Sequence, residues 1–425
     1  MSLAERRNLR LFTFCVLYVA QGLPWGFTAI TLPAYLGAQH LDAAVIGSML
    51  AMTTLPYTFK LLWAPIVDAF PSKRFGKRRH WIIGAQLMMA LTIGAMIAIP
   101  DLTRDVKLLA WMIFIHTIFN SIQDLSTDAL AVDLLDEDER GRTNGLMYAS
   151  KYFGGILGGA GMSTLIAWYG MRTALVAQTA VLLAIMLVPL LVREHPASTV
   201  PVATIELDAR GRAREVWRSI KELARSSGAV AALLGAVVML LSSIGTGLMA
   251  AISPVLFTQD LGWTFERYSQ LTGGPGLAAG LVGSVLGGFL ADRVGHKKLA
   301  ALGAAALGTF WVIWALLAPR WHDPSLAYML FGVEPLCQSV MTVSLFAICM
   351  DLSWPKLGAT QFGVYMAMAN WSTTIGFKLA GFASDTWTYP GIYIAAAVCQ
   401  LGVLAVIPLV DTHAVRRALT EGARA

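Results

Sequence analysis

The chain has 425 residues, 56% hydrophobic and 14% charged, with a formal net charge of +6. Mean hydropathy is +0.62, and soluble domains are usually only about 45–50% apolar, so an ordinary soluble domain is excluded. The positive balance follows the loops between apolar stretches and forms no single basic stripe, so no nucleic-acid partner is expected.

Taken in chain order, residues 11–39 carry no charge, and neither do 173–192, 229–259, 268–291, 299–319 and 386–410. Each is long enough for the about 20 helical residues that cross a hydrocarbon core of about 30 Å. Spans with few or no charges lie near 44–70, 80–99, 107–133, 143–168, 325–350 and 359–384. Barrel strands would be about 9–11 residues long and would alternate in polarity, and these stretches do neither. The fold class is therefore all-α: a membrane protein with twelve transmembrane helices in two six-helix bundles. The longest polar segment divides it as 1–193, 194–228 and 229–425. That segment is rich in arginine and reads either as a plain linker or as carrying a short basic amphipathic helix on the membrane surface.

Placing the N-terminus in the cytoplasm leaves 24 Lys and Arg on the inside and 5 outside, with three lysines inside the membrane. This asymmetry predicts that both termini and the 194–228 segment are cytoplasmic. The first apolar stretch is too long for a signal-peptide core and is expected to remain as the first helix. The four cysteines, Cys15, Cys337, Cys349 and Cys399, all fall within spans and lack metal-ligand spacing, so they read as small apolar packers. Neither a metal nor a cofactor is expected.

The interior charges carry the functional signal. An ionisable side chain at membrane depth costs at least about 2.5–3.5 kcal/mol on insertion scales, so it normally faces a bundle interior or a watery cavity. Lys60 lies in the second span, Asp124 and Asp128 in the fourth, Lys151 in the fifth, Glu334 in the tenth and Lys378 in the eleventh. On a helical wheel Asp124, Asp128, Thr117, Asn120, Ser121 and Thr127 make one polar stripe. Asp133 falls on the opposite face, as an interface charge for Arg140, Arg142 or the cations of the 2–3 loop. Counting about 1.5 Å per residue from the cytoplasmic ends puts Lys60, Asp124, Asp128 and Lys151 at one depth. They read as a desolvated network, either a static brace or a substrate and proton site, with Asp124 or Asp128 holding the proton. Glu334 and Lys378 lie nearer the outer ends and read as an outer gate or brace. Gln21 and Trp25 on the first span and Asn370 and Trp371 on the eleventh are candidate substrate contacts, since tryptophan offers a flat face and an N–H donor. Gly154, Gly155, Gly158, Gly159 and Gly161 predict close helix contacts along the fifth span.

The two halves share a landmark. The second span ends in Lys60-Leu-Leu-Trp-Ala-Pro-Ile-Val-Asp68, followed by Gly76-Lys77-Arg78-Arg79. The eighth ends in Gly288-Phe-Leu-Ala-Asp292-Arg293-Val-Gly295-His-Lys-Lys298. Asp68, Asp292 and Arg293 are thus candidate gating residues at the cytoplasmic face. The pattern resembles the loop motif of the major facilitator superfamily, which implies two six-helix bundles around a central cavity and rocker-type alternating access. A finer resemblance covers roughly residues 15–145. It rests on Gln21-Gly22-Leu23-Pro24, on the segment from Phe59 to Asp68, and on Ser121-Ile122-Gln123-Asp124 with Asp128, Asp133 and Asp138-Glu139-Arg140-Gly141. These look like the AmpG-type muropeptide permeases and the related acetyl-coenzyme A transporters, and some siderophore permeases are similar.

The resemblance implies a secondary transporter of a polar, anionic solute across the inner membrane, with proton-coupled muropeptide import first. Acetyl-coenzyme A and siderophores are the alternative cargoes. The expected partners are a small-molecule substrate, protons and the lipid bilayer, and the expected state is a monomer. The alternative from another class is a membrane-embedded enzyme. The sequence has no His-x-x-x-His, Gly-x-Ser-x-Gly, Walker A or HExxH motif to support one.

Overall fold

The computed structural model describes residues 2–60, 63, 66–67, 70, 72, 76–135, 137–194, 228–354, 358–412, 414 and 417. Among the described residues nine helical segments are long and apolar enough to cross a membrane. One of them, Thr143–Leu191, breaks at Gly170, whose φ of 81° and ψ of 164° are not helical. It therefore holds two crossings. With Ala43–Thr58 and Gly358–Thr386 the count reaches twelve.

In order these are α1 (Arg7–Ala38), α2 (Ala43–Thr58), α3 (Arg79–Ala98), α4 (Val106–Leu134), α5 (137–169), α6 (171–191), α7 (Ala229–Asp260), α8 (265–294), α9 (His296–Leu316), α10 (Pro324–Asp351), α11 (Gly358–Thr386) and α12 (Tyr389–Leu409). Among the described residues the only β pairing is two isolated bridges, Ser2 with Arg193 and Ser72 with Gly76. The all-α membrane class therefore holds.

The chain divides into two compact units, Met1–Ile205 with Pro254–Leu277, and Glu206–Ser253 with Ala278–Ala425. The C-terminal end of α7 and the N-terminal part of α8 thus belong to the first unit, although the sequence division at 194–228 assigns all of 229–425 to one bundle. Residues 195–227, where a basic surface helix was considered, lie outside the described residues.

In the first unit α1 and α5 pack backbone to backbone. A methyl group added at Gly22 would sit 2.0 Å from the Lys151 carbonyl oxygen, and one at Gly158 would sit 2.0 Å from the Leu23 carbonyl oxygen. Lipid tails are as apolar as leucine, so such close approach between small residues is a main source of helix association in a bilayer. It also fixes the register of the two helices and sets Lys151 against the turn that carries Tyr18. Four short π-helical turns, Phe27–Thr31, Leu157–Gly161, Leu256–Asp260 and Thr272–Gly276, interrupt α1, α5, α7 and α8. Among them Thr31 Oγ1 donates to the Gly158 and Gly159 carbonyls at 2.8 and 2.7 Å. Gln86 of α3 ties to α6 through the Leu182 carbonyl at 3.1 Å.

The second unit is built on a continuous apolar core. It includes Val238 and Met239 of α7, Ala300 and Ala304 of α9, Met341, Leu345 and Ile348 of α10, Tyr365 of α11 and Val403 of α12. Helix α7 breaks at Ser242 and Ser243, and the freed Ser243 N–H donates to Ser372 Oγ of α11 at 2.8 Å. Nearer α9 and α12, Trp314 and Trp321 stack at 5.6 Å, with Tyr393 against both.

Candidate functional site

The polar stripe on α4 divides into two kinds of residue. The hydroxyls satisfy themselves on their own helix: Thr117 donates to the Ile113 carbonyl, Ser121 to Ile118 and Thr127 to Gln123, each at 2.8 Å. The two carboxylates reach other helices. Lys60, just beyond the end of α2, places Nζ 2.5 Å from Asp124 Oδ2 and 3.2 Å from Asp128 Oδ2. Lys151 of α5 comes within 3.9 Å of Asp124 Oδ1, and its ammonium lies 6.0 Å from the centre of the Tyr18 ring. The Tyr18 hydroxyl donates to Asp128 Oδ1 at 2.5 Å, and Tyr148 packs edge-on against Tyr18.

The structure thus brings together the four charged residues that sequence counting placed at one depth. Their pairing is uneven. The Asp124 side chain is 10% exposed and faces two cations, whereas the Asp128 side chain is 41% exposed and faces one. Two opposite charge pairs from three helices, α2 at its end, α4 and α5, make a locally neutral cluster. Such a cluster can exchange partners without stranding a bare charge, which is the costly event in a low-dielectric interior.

The remaining candidates fall elsewhere. Gln21 is fully buried and donates to Gln123 Oε1 at 2.8 Å, while Gln123 Nε2 donates to the Leu17 carbonyl at 3.3 Å. Its amide therefore clamps α1 to α4 one turn from the quartet. Trp25 is 39% exposed, and its ring lies against Gly155. Asn370 and Trp371 sit on α11 in the second unit, half-buried and 39% exposed respectively. Glu334 of α10 is half-buried beside Trp311 and Tyr393, and Lys378 lies on α11.

Of the charges before the two glycine turns, Asp68 lies outside the described residues. Asp292 is on α8, but its side chain is likewise not described, and Arg293 in the last turn is exposed. The glycine turns are present: Gly76 has φ 98° and Gly295 has φ 95°, conformations that a side chain would strain. Beyond them the basic residues have partners. Asp133 pairs with Arg78 at 3.2 Å and Lys77 at 3.6 Å, so it uses the 2–3 loop cations. His296 pairs with Asp351 at 2.7 Å, and Lys297 donates to the Pro408 and Val410 carbonyls at 3.1 and 2.6 Å.

Two further residues did not stand out in the sequence. Tyr18 reads there as one more aromatic in an apolar run, yet it completes the quartet. Glu194 reads as the start of a linker, yet it is 4% exposed. Its carboxylate accepts the backbone N–H groups of Lys77 and Arg78 at 2.8 and 2.7 Å, and that of Arg79 as well.

Twelve crossings, the glycine-turn loops and a charged network buried among the first helices define a membrane-embedded transporter of small molecules. The sequence model of the Major Facilitator Superfamily matches residues 14–248 and 235–424, and the chain belongs to that family. Among curated proteins it is similar to the anhydromuropeptide permease of Escherichia coli K12, with 26% identity over 401 residues covering 92% of this chain and 78% of that protein. It is also similar to the putative transporter AmpG 4 of Rickettsia conorii, 24% identical over 415 residues covering 96% and 97% of the two chains. A solved D-xylose–proton symporter has the same fold, with a TM-score of 0.71 at 15% identity over 93% of this chain and 97% of that one. Within the superfamily the chain thus resembles the AmpG-type permeases.

Proposed function

We propose that the chain imports an anhydromuropeptide-type solute across the inner membrane by alternating access, driven by protons. The observation that carries this reading is the quartet of Lys60, Asp124, Asp128 and Lys151, within the apolar spans of a chain whose relatives include an anhydromuropeptide permease. A peptide-bearing sugar presents carboxylates, and lysines at depth supply the charge to hold them. Carboxylates beside those lysines supply a place for the coupling proton, because their affinity for it changes when a cation moves. In this reading Trp25, Asn370 and Trp371 contact the solute, and Gln21 holds the first helix in register. The cytoplasmic gate uses Asp68, Asp292 and Arg293, and the outer one uses Glu334 and Lys378. Both termini face the cytoplasm, and the working unit is a monomer.

Uptake of labelled anhydromuropeptide into proteoliposomes, with and without an inward proton gradient, tests the proposal. Accumulation above equilibrium that collapses with the gradient is expected. Uptake of acetyl-coenzyme A in preference to the muropeptide would replace the cargo, and uptake indifferent to the gradient would remove the coupling.

A further inference from the structure

Counted as formal charges, the quartet is balanced: two ammonium groups face two carboxylates. The sharing is not balanced. Lys60 bridges both aspartates, at 2.5 and 3.2 Å. Lys151 reaches only Asp124, at 3.9 Å, beyond hydrogen-bond distance. Its charge is the least satisfied of the four. Asp128 is the most open carboxylate and depends on the longer arm of Lys60. Its Oδ1 already accepts the Tyr18 hydroxyl, which leaves Oδ2 as the site for a proton.

We infer that Asp128 and Lys151 act as a coupled pair, in which one proton on Asp128 turns Lys151 into the binding site for one solute carboxylate. The inference rests on the transport reading of the same quartet and adds to it an order, a stoichiometry and a division of labour. A proton from water adds to Asp128 Oδ2. The neutral acid no longer holds the Lys60 ammonium, which stays with Asp124. Lys60 alone then neutralises Asp124, and Lys151 is left as one uncompensated positive charge. A solute carboxylate that docks on Lys151 restores neutrality. Without the proton, the same carboxylate would bring an unpaired negative charge into a desolvated cluster, which is strongly unfavourable. Linkage makes the effect mutual, so a bound carboxylate raises the proton affinity of Asp128 by the same factor.

The groups facing Asp128 are consistent with this count. Tyr18 comes from α1, Tyr57 and Lys60 from α2 and its end, Asp124 from the same helix, and Tyr148 and Lys151 from α5. Tyrosines are neutral near physiological pH, so the two lysines and Asp124 set the balance. Lys60 is then the constant partner of Asp124, and Lys151 is the residue that meets the solute.

Calorimetric titration of the purified transporter with anhydromuropeptide, in buffers of different ionisation enthalpy, counts the linked protons. Uptake of about one proton per bound ligand is expected, with affinity falling about tenfold per pH unit above the titration of Asp128. Asp128→Asn should take up none and bind with pH-independent affinity. Lys151→Gln should lose the pH-dependent part of the affinity, and an amidated muropeptide lacking carboxylates should bind wild type without proton uptake. Binding with no linked proton, or uptake that persists in Asp128→Asn, would overturn the inference and leave the cargo standing. Failure of the muropeptide to bind at all would sink the cargo. An infrared pH titration of the ligand-free protein then decides the rest. A protonated-carboxyl band that Asp128→Asn removes and Asp124→Asn keeps supports the inference, and a band unchanged in Asp128→Asn ends it.

Discussion

The Glu194 carboxylate and the Arg78 backbone N–H meet at 2.7 Å, at the point where α3 begins. The N–H groups of Lys77 and Arg79 converge on the same side chain. The first N–H groups of a helix have no partner within it, and a buried carboxylate there satisfies three at once and complements the helix dipole. Arg79 returns the link, since its guanidinium donates to the Pro189 and Leu190 carbonyls at the end of α6. The N-terminal segment joins on the other side, with Leu3 and Ala4 donating to the Arg193 and Glu194 carbonyls at 2.8 and 3.1 Å. Replacing Glu194 by Ala should therefore destabilise the protein by about 2–3 kcal/mol, the usual cost of losing a charged hydrogen-bond partner. Glu194→Gln should recover part of it. Thermal unfolding in detergent measures the order, and an unchanged midpoint in Glu194→Ala would show that the cap is dispensable.

Lys60 and Lys151 should separate by phenotype. Lys60 bridges two aspartates, so Lys60→Gln leaves Asp128 without a cation and Asp124 with only the distant Lys151. Breaking a buried pair in this way typically costs about 3–5 kcal/mol, and expression and thermal stability should fall together. Lys151 has one distant partner, so Lys151→Gln should leave the protein monodisperse with a near-normal melting midpoint while weakening solute binding. The comparison uses size-exclusion profiles, melting curves and uptake in parallel. Equal destabilisation by both substitutions would make both lysines braces.

The topology rests on the unequal distribution of 24 inner and 5 outer basic residues. A cysteine placed at Gln39, at the outer end of α1, should react with a membrane-impermeant reagent in intact cells. A cysteine at Ser226, which lies outside the described residues, should react only after the membrane is opened. Labelling of the Ser226 position from outside would invert the assignment.

Much of this was legible because charges are rare in such a sequence. Lys60, Asp124, Asp128 and Lys151 each interrupt an apolar run, and a helical rise of about 1.5 Å per residue converts their distances from the loops into one common depth. The glycine run of the fifth span likewise announced the close α1–α5 contact. What stayed hidden depends on tertiary partners. Tyr18 has nothing in its local pattern to distinguish it from a packing aromatic, and only the register of α1 against α4 brings its hydroxyl to Asp128. Glu194 follows Arg193 just past the last apolar residue of its span and precedes a polar segment, so a linker is the natural reading. Its role appears when the α3 N-terminus is placed beside it. The π turns are similarly unreadable, because one extra residue in a helical turn leaves no compositional mark. The assignment of Pro254–Leu277 to the first compact unit follows from contacts that no sequence boundary records.

Gln259 makes the last of those contacts testable. Its amide nitrogen donates to the Gly37 and Leu41 carbonyls, both at 2.9 Å. Gly37 is in the last turn of α1, where its carbonyl also accepts the His40 N–H at 2.9 Å, and Leu41 follows just beyond the helix. Thr258 crowds the same place, since a methyl group at Gly37 would lie 2.8 Å from its hydroxyl. The C-terminal ends of α1 and α7 are thus held by two neutral hydrogen bonds and a backbone-close contact. Neutral hydrogen bonds contribute about 0.5–1.5 kcal/mol each, a size that holds a closed form yet can be broken during a transport cycle. Gln259→Leu should shift the outer end toward the open form by about fivefold to a hundredfold in population, from about 1–3 kcal/mol of lost bonding. A cysteine at Thr31, fully buried beside the Gly158 and Gly159 carbonyls, reports the change through its rate of alkylation from outside. Faster alkylation in the Gln259→Leu background is the expected result, and an identical rate would show that these two bonds do not hold the outer end shut.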